Sequence, residues 1–233
     1  MILYNTLMGV CAGLALILVP LLGRKLYRKE KVTIEGWSMS FAVLGLILTF
    51  LSAHMAITWP LTVNPPINIL FSEPCLVLGV LLLATSFMLW KQKDSLADLG
   101  SGKAAADVAE AKLTRSLIPL SWVVFGLGLV LLFCTAAIFR FGFIGAAPPQ
   151  EPISGLLSDY PALENSFFGI LYGLSAIGAL LAPFALKKHG AYWSVMSHAW
   201  IAAGIVFLLF SALNYYTHIG LLVNTLKDTN YRW

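Results

Sequence analysis

The sequence predicts an all-α integral membrane protein with six transmembrane helices, and two observations carry this prediction. Apolar residues make up 59% of the 233-residue chain and charged residues 11%, whereas a typical soluble domain carries about 25% charged residues. In addition, twelve of the fifteen Lys and Arg residues fall in three short segments between apolar stretches. A helix of about 20 apolar residues crosses the hydrocarbon core with its backbone hydrogen bonds satisfied internally.

Each predicted helix is an uncharged apolar stretch that stops near a basic or proline-rich segment. The first runs from about Ile2 to Leu22 and stops at the basic cluster Arg24 to Lys31, and the second runs from about Gly36 to Thr58. The remaining four are predicted over about Cys75 to Trp90, Leu117 to Phe139, Ser166 to Leu186 and Ala191 to Tyr216. The alanine-rich segment from Lys103 to Lys112 predicts a short surface helix between the third and fourth spans.

The distribution of cations predicts the orientation of the helices. Loops rich in Lys and Arg stay on the cytoplasmic side of a membrane, and only Arg140, Lys227 and Arg232 fall on the opposite side. We therefore predict a multi-pass protein of the cell (plasma) membrane, with both termini on the outer side and the basic loops in the cytoplasm. No Lys or Arg precedes the first apolar stretch, so we expect an uncleaved helix there and not a secretory signal.

An internal repeat is visible along the chain. Trp37, Trp122 and Trp200 each lie close to the start of a helix that leaves the basic side, and we predict that they are interfacial anchors. Both outer loops contain a Pro-Pro pair followed by aliphatic residues, an acidic residue and a further proline. This pattern predicts one domain, residues 1–233, of three parallel two-helix hairpins at about 1–58, 75–139 and 166–216. Short interfacial helices are expected in the outer loops, where apolar residues recur at near-helical spacing.

Two histidines are the candidate cofactor ligands. His54 lies seventeen residues after Trp37 and His218 lies eighteen residues after Trp200, so we predict both at one depth near the outer ends of their helices. Histidines from two helices could hold a haem b as axial ligands, or a metal together with an acidic residue of the outer loops. Contact with lipid headgroups explains the same positions. The acidic residues of the outer side are expected to form a solvated rim; they are Glu73, Glu151, Asp159 and Glu164.

Several functional classes lack their usual signatures in this sequence. No Asp, Glu, Lys or Arg falls in the central part of any predicted span, whereas proton-coupled transporters generally need a titratable group at that depth. The chain contains neither a Gly-x-Ser-x-Gly elbow nor an HExxH zinc motif, so no catalytic residue and no resident cofactor is predicted. The three cysteines are interpreted as small apolar packing residues. The basic residues flank helices without forming one face, so nucleic acid is not an expected partner.

Two pairs of glycines have the spacing of close helix contacts. Gly9 and Gly13 in the first helix, and Gly169 and Gly173 in the fifth, form GxxxG motifs that let helix backbones approach one another. These motifs suit packing inside the bundle and packing against another membrane protein equally well.

The lack of intramembrane charge and of cofactor motifs predicts a non-catalytic accessory or scaffold subunit of a larger membrane complex. The analogy is with the small multi-pass subunits of respiratory and other oxidoreductase assemblies. Bound lipids and other integral membrane proteins are then the expected partners. Two alternatives remain open: a membrane haem or metal protein that uses His54 and His218, and a small-solute or lipid transporter.

The hairpin repeat, the three tryptophans and the Pro-Pro outer loops together resemble small bacterial and archaeal multi-pass membrane proteins of unknown function. The resemblance covers nearly the whole chain. It implies a membrane-embedded helical fold, and it implies no activity and no catalytic residue.

Overall fold

The computed structural model describes residues 4–97, 103–145, 147–188 and 190–232. Within these ranges the chain forms seven α-helices and one short 3-10 helix, with no strand. The α-helices are α1 (Tyr4–Tyr27), α2 (Ile34–Thr58), α3 (Pro66–Lys91), α4 (Lys93–Ala97), α5 (Lys103–Phe141), α6 (Pro161–Lys187) and α7 (Ala191–Lys227). The 3-10 helix, Ser154–Leu157, lies in the loop before α6.

Six of the described helices are long and apolar enough to cross a membrane, which confirms the predicted six-span, all-α fold. These are α1, α2, α3, α6, α7 and the Ala111–Phe141 part of α5. The short helix α4 lies in the connection between α3 and α5.

The helix α3 begins earlier than its apolar pattern predicts, at Pro66 where the sequence suggested about Cys75. The segment expected to form a separate interfacial helix is therefore the first part of α3. Pro66 suits the first turn of a helix, where a missing N–H costs nothing. Pro74 lies inside the helix and cannot donate to the Leu70 carbonyl. The hydroxyl of Tyr172, from α6, donates to that carbonyl at 2.9 Å, so the freed acceptor is satisfied inside the bundle.

Three other boundaries also extend beyond the apolar windows. The predicted surface helix and the fourth span are one continuous helix, α5. The helix α6 begins at Pro161, and α7 continues to Lys227, well beyond the predicted end at Tyr216. The interfacial helix expected in the second outer loop is the single 3-10 turn Ser154–Leu157. At the start of α6 and the end of α7, the side chains of Asn165 and Asn224 bond to loop backbone. A prediction from apolar residues alone does not include such contacts.

The closest helix packing occurs between α2 and α3, between α5 and α6, and between α1 and α7, with α6 also packed along α7. Between α2 and α3, a Cβ atom on Gly45 would lie 2.8 Å from the Gly79 carbonyl oxygen. The same pair is joined by reciprocal hydrogen bonds in which the Ser38 and Ser86 hydroxyls each donate to the other residue's carbonyl, at 2.9 and 2.8 Å. The division into three hairpin repeats rests on sequence likeness and stays a prediction.

The bundle has two chemically different ends. We call the end where α1 begins and α7 ends the terminal end; it also carries the loops at 59–65, 142–145 and 147–160. We call the other end the basic end, because the three cationic segments connect the helices there. Met1 and Trp233 themselves lie outside the described residues, and the side of the membrane that each end faces stays a prediction.

Candidate functional site

A cavity of about 190 Å³ lies inside the terminal half of the bundle, between α1, α3, α5, α6 and α7. Its wall is mainly aliphatic and aromatic, with side chains such as Leu78, Leu127 and Phe207. Four polar residues of the wall lie toward the terminal end: Asn5, Thr6, Ser211 and Asn214. Thr85, Tyr172 and Ser175 are the other polar residues with a hydroxyl group on this wall.

A second cavity, of about 180 Å³, continues toward the basic end. The residues common to both walls are Val19, Thr85, Leu120, Val124 and Trp200. We call the two volumes together the axial cavity. No Asp, Glu, Lys, Arg or His lines either part of it among the residues that the structure describes.

The axial cavity is about as long as a bilayer is thick. Along α1 its wall runs from Asn5 to Tyr27, which is about 33 Å at the α-helical rise of 1.5 Å per residue. The hydrocarbon core of a bilayer is about 30 Å thick. The bundle therefore contains two adjoining, partly open and mainly apolar cavities that together follow the direction of the lipid chains.

Trp200 stands where the two parts of the cavity meet. Its side chain is 8% exposed, and its indole Nε1–H donates to the Ser175 carbonyl at 3.1 Å. A Cβ atom on Gly178 would overlap the indole ring, so the glycine is what lets Trp200 pack against α6. The predicted interfacial anchor thus lies inside the protein, because α7 turns this face toward α6 and not toward lipid.

The other two predicted anchors lie nearer the protein surface. Trp37 is partly exposed and packs against Phe41, with the ring centroids 6.1 Å apart. Trp122 is 45% exposed, and the ammonium group of Lys187 lies 5.5 Å from its ring centroid. An interfacial role for these two tryptophans stays a prediction.

All four predicted packing glycines face another helix of the same bundle, and three of them are in close contact with it. A Cβ atom on Gly13 would lie 2.8 Å from the carbonyl oxygen of Gly204 in α7, and one on Gly9 would overlap the Ser211 hydroxyl. A Cβ atom on Gly169 would come within 2.6 Å of the Phe139 ring. Gly173 is roomier, since its nearest neighbour would be Thr135 at 3.6 Å. The first GxxxG motif is therefore occupied by α7 within one chain.

The two candidate histidines have different surroundings. His54 lies on an exposed face of α2. His218 is partly buried, with its Nδ1 atom 3.1 Å from the Thr6 hydroxyl and its Nε2 atom 3.5 Å from a carboxylate oxygen of Glu151. Both ring nitrogens of His218 therefore have polar neighbours. One of these neighbours would have to move away for His218 to bind a haem iron. Haem b binding by His54 and His218 stays a prediction.

No group of three or more His, Cys, Asp or Glu side chains suited to a metal ion occurs within the described ranges. The His218 and Glu151 pair is instead completed by hydroxyl groups. The Thr217 hydroxyl donates to Glu151 at 2.7 Å, and Glu151 is only 5% exposed.

The geometry is that of a helical membrane protein whose cavity walls carry no charged side chain among the described residues. The sequence matches one protein family over most of its length. Residues 1–220 match the family described as "Protein of unknown function (DUF981)". The chain belongs to the DUF981 family. No curated protein and no solved structure matches it. The family assignment confirms the resemblance that the sequence suggested.

Two features of this DUF981 chain are missed by sequence reasoning. Glu151 was expected on a solvated rim but is buried, and its position between Pro149 and Pro152 in an apolar loop was the available signal. The axial cavity leaves no local signature, because its wall combines residues from helices that are far apart in the chain. In this DUF981 chain, the features that the sequence does not predict lie in the interior, because they depend on how the helices pack.

Proposed function

We propose that this membrane protein binds one long apolar molecule, of the class of lipid alkyl chains, in the axial cavity. The observation that carries the proposal is a pair of adjoining, partly open and uncharged cavities between helices of a single chain, which together are about as long as the hydrocarbon core. Of the two transporter alternatives, small solute or lipid, only lipid is proposed, and only its binding.

The size and polarity of the cavity favour an apolar occupant over water. An apolar protein cavity of about 150 Å³ stays dry and accepts small apolar molecules. Each part of the axial cavity is larger than that. Ligand pockets in proteins are generally apolar, with a few placed polar groups. Inside a bilayer, the most abundant molecules of matching shape are alkyl chains.

A photoreactive hexadecane with a mid-chain diazirine tests the proposal on the purified protein in mild detergent. We expect saturable labelling at one molecule per chain, on peptides that contain cavity residues such as Val19. The variant Val124→Trp places an indole at the junction of the two parts. It should lower the labelling of these peptides about ten-fold, which corresponds to roughly 1.4 kcal/mol of binding free energy.

The matched control is Val123→Trp, because Val123 is the neighbouring residue on α5 and is 51% exposed. This control should label like the natural protein. Labelling confined to outward-facing residues such as Phe133, or equal labelling of the two variants, would overturn the proposal.

The role of accessory or scaffold subunit is a second candidate, and the surface of α5 favours it. Only 22% of the apolar window of α5 is buried inside the protein, compared with 56% for α6. Such a helix is free to contact lipid or a helix of another membrane protein. Native mass spectrometry of a mild membrane extract should find a stoichiometric partner, whereas a free monomer in several mild detergents would count against this role.

We also propose that the basic end faces the cytoplasm of a plasma membrane, on the strength of the charge distribution. The test uses chains whose natural cysteines are replaced by alanine. A membrane-impermeant maleimide added to intact cells should label Ser154→Cys and should label Lys31→Cys only after permeabilisation. The reverse pattern would invert the topology.

A further inference from the structure

We infer that the ligand of the axial cavity carries an uncharged hydrogen-bonding head, which lies at the terminal end while the alkyl chain points toward the basic end. A long-chain alcohol or a monoacylglycerol has this chemistry. The inference rests on the proposed function, and it adds the class and the direction of the ligand.

Two asparagines and two hydroxyl residues of the axial cavity lie near the start of α1. Ser211 and Asn214 lie one helical turn apart on α7, and Asn5 and Thr6 lie at the start of α1. Residues spaced by three or four positions share one face of a helix. Because α1 and α7 pack together, the four side chains lie at one end of a mainly apolar wall.

The hydrogen bonds of these groups leave some of them open to a ligand. The Asn5 side-chain oxygen accepts the Thr6 N–H at 3.0 Å, and the Thr6 hydroxyl pairs with His218. The side-chain amide of Asn214 forms no hydrogen bond with any residue that the structure describes, although it lines the cavity. An asparagine amide offers two donors and an acceptor, which suits a hydroxyl or ester group.

The hydroxyl groups nearer the basic end are already used by their own helices. The Thr85 hydroxyl donates to the Leu81 carbonyl at 2.8 Å, and the Ser121 hydroxyl donates to the Ile118 carbonyl at 2.7 Å. Ser175, also on the cavity wall, donates to the Leu171 carbonyl at 2.8 Å. Thr114 is the exception, because it lines the basic half and its hydroxyl has no hydrogen bond within the described residues. The amide side chains of the wall, Asn5 and Asn214, lie at the terminal end only, and they give the cavity its direction.

The charges around the polar group argue against an ionised head. No Lys or Arg lines the axial cavity within the described residues, and an unpaired carboxylate or phosphate is costly to bury. His218, whose Nδ1 atom pairs with the Thr6 hydroxyl of the cavity wall, already has the Glu151 carboxylate at its Nε2 atom. A fatty acid or a phospholipid head would therefore lack a counter-ion.

The test compares three diazirine probes on the full-length protein: hexadecane, hexadecanol and palmitate. In the natural protein, we expect hexadecanol to half-saturate labelling at a concentration about ten-fold below that of palmitate. In Asn214→Leu, the half-saturating concentration of hexadecanol should rise about ten-fold, while that of hexadecane stays unchanged. Ten-fold corresponds to one net hydrogen bond. The matched control is Asn230→Leu, because Asn230 is exposed and away from the cavity.

The hexadecane probe separates failure of this inference from failure of the proposed function. Unchanged hexadecanol labelling in Asn214→Leu, or palmitate labelling as strong as that of hexadecanol in the natural protein, would overturn the inference while hexadecane still binds. Absence of hexadecane labelling in the natural protein would overturn the proposed function itself. If Asn214→Leu misfolds and binds neither probe, the hexadecanol and hexadecane labelling of Asn214→Ser is compared instead, with the same expected outcomes.

Discussion

The two ends of the helix bundle are stabilised by different kinds of interaction. At the terminal end, buried asparagine amides hold loop backbone: the Asn165 side-chain oxygen accepts the Ile144 N–H at 2.9 Å, and its amide donates to the Pro161 carbonyl at 2.7 Å. At the basic end, Lys25 and Glu30 form an ion pair at 3.0 Å whose side chains are 45% and 40% exposed. The loops of the terminal end are therefore fixed by buried hydrogen bonds, whereas the connection that follows α1 at the basic end has a solvated ion pair.

Two more asparagines at the terminal end bond to loop backbone in the same way as Asn165. Asn68 exchanges hydrogen bonds with the backbone N–H and carbonyl of Leu61, both at 3.0 Å. Asn224 accepts the Tyr231 N–H at 2.8 Å and donates to the Gln150 carbonyl at 2.8 Å. Each of these amides replaces water as the partner of loop backbone. The end of the bundle where amide side chains line the cavity is therefore also the end whose loops are fixed by buried hydrogen bonds.

The largest expected effect is that of Asn165→Leu. The substitution leaves the buried Ile144 N–H and the Pro161 and Gly142 carbonyls without a side-chain partner. We expect a loss of about 3 kcal/mol in the free energy of unfolding, measured by SDS titration in mixed micelles. Asn230→Leu, at an exposed position, is the control and should change little. A loss below about 1 kcal/mol would mean that water replaces the amide, and the contrast between the two ends would then fail.

The next effect is that of Thr217→Val, which keeps the shape of the side chain and removes its hydroxyl. The buried Glu151 carboxylate then loses the 2.7 Å hydrogen bond that it accepts. Hydrogen bonds to charged groups contribute about 1.5–3 kcal/mol, so we expect a loss of about 2 kcal/mol in the same unfolding assay. Thr62→Val, in the exposed part of the first outer loop, is the matched control. Equal stability of the two variants would show that Glu151 is neutralised or hydrated.

The sequence alone predicts the helices of this protein, but it does not predict these contacts between them. Helix existence follows from runs of about 20 apolar residues, and all six spans were predicted in this way. The burial of Glu151 and Trp200 depends on which helix faces meet, and a single sequence does not encode that pairing in any local pattern. The start of α3 was missed because Pro74 reads as a loop residue, although Tyr172 satisfies the carbonyl that this proline leaves free.

A smaller effect is expected for the uncharged contact near the basic end, between Ser38 and Ser86. Hydrogen bonds between membrane helices average about 0.6 kcal/mol, because the unfolded chain also finds partners. Ser86→Ala should therefore lower the free energy of unfolding by about 0.6 kcal/mol, with Ser40→Ala as control, since the Ser40 hydroxyl bonds within its own helix. A double-mutant cycle of Ser38→Ala with Ser86→Ala would isolate the coupling. If the coupling free energy between Ser38 and Ser86 were as large as the loss expected for Thr217→Val, buried hydrogen bonds would stabilise both ends of the bundle equally.

The smallest effect is expected for Lys25→Gln, which removes the ion pair with Glu30 at the basic end. Exposed ion pairs contribute about 0–1 kcal/mol, and salt screens them over a Debye length of about 10 Å at 0.1 M. We expect a change of about 0.3 kcal/mol or less at low salt and none at high salt. The Thr217→Val effect should persist at both salt concentrations, because the Glu151 contact is buried. A large, salt-dependent loss in Lys25→Gln would mean that cations stabilise the fold as well as orient it, and the basic end would then be a structural element in its own right.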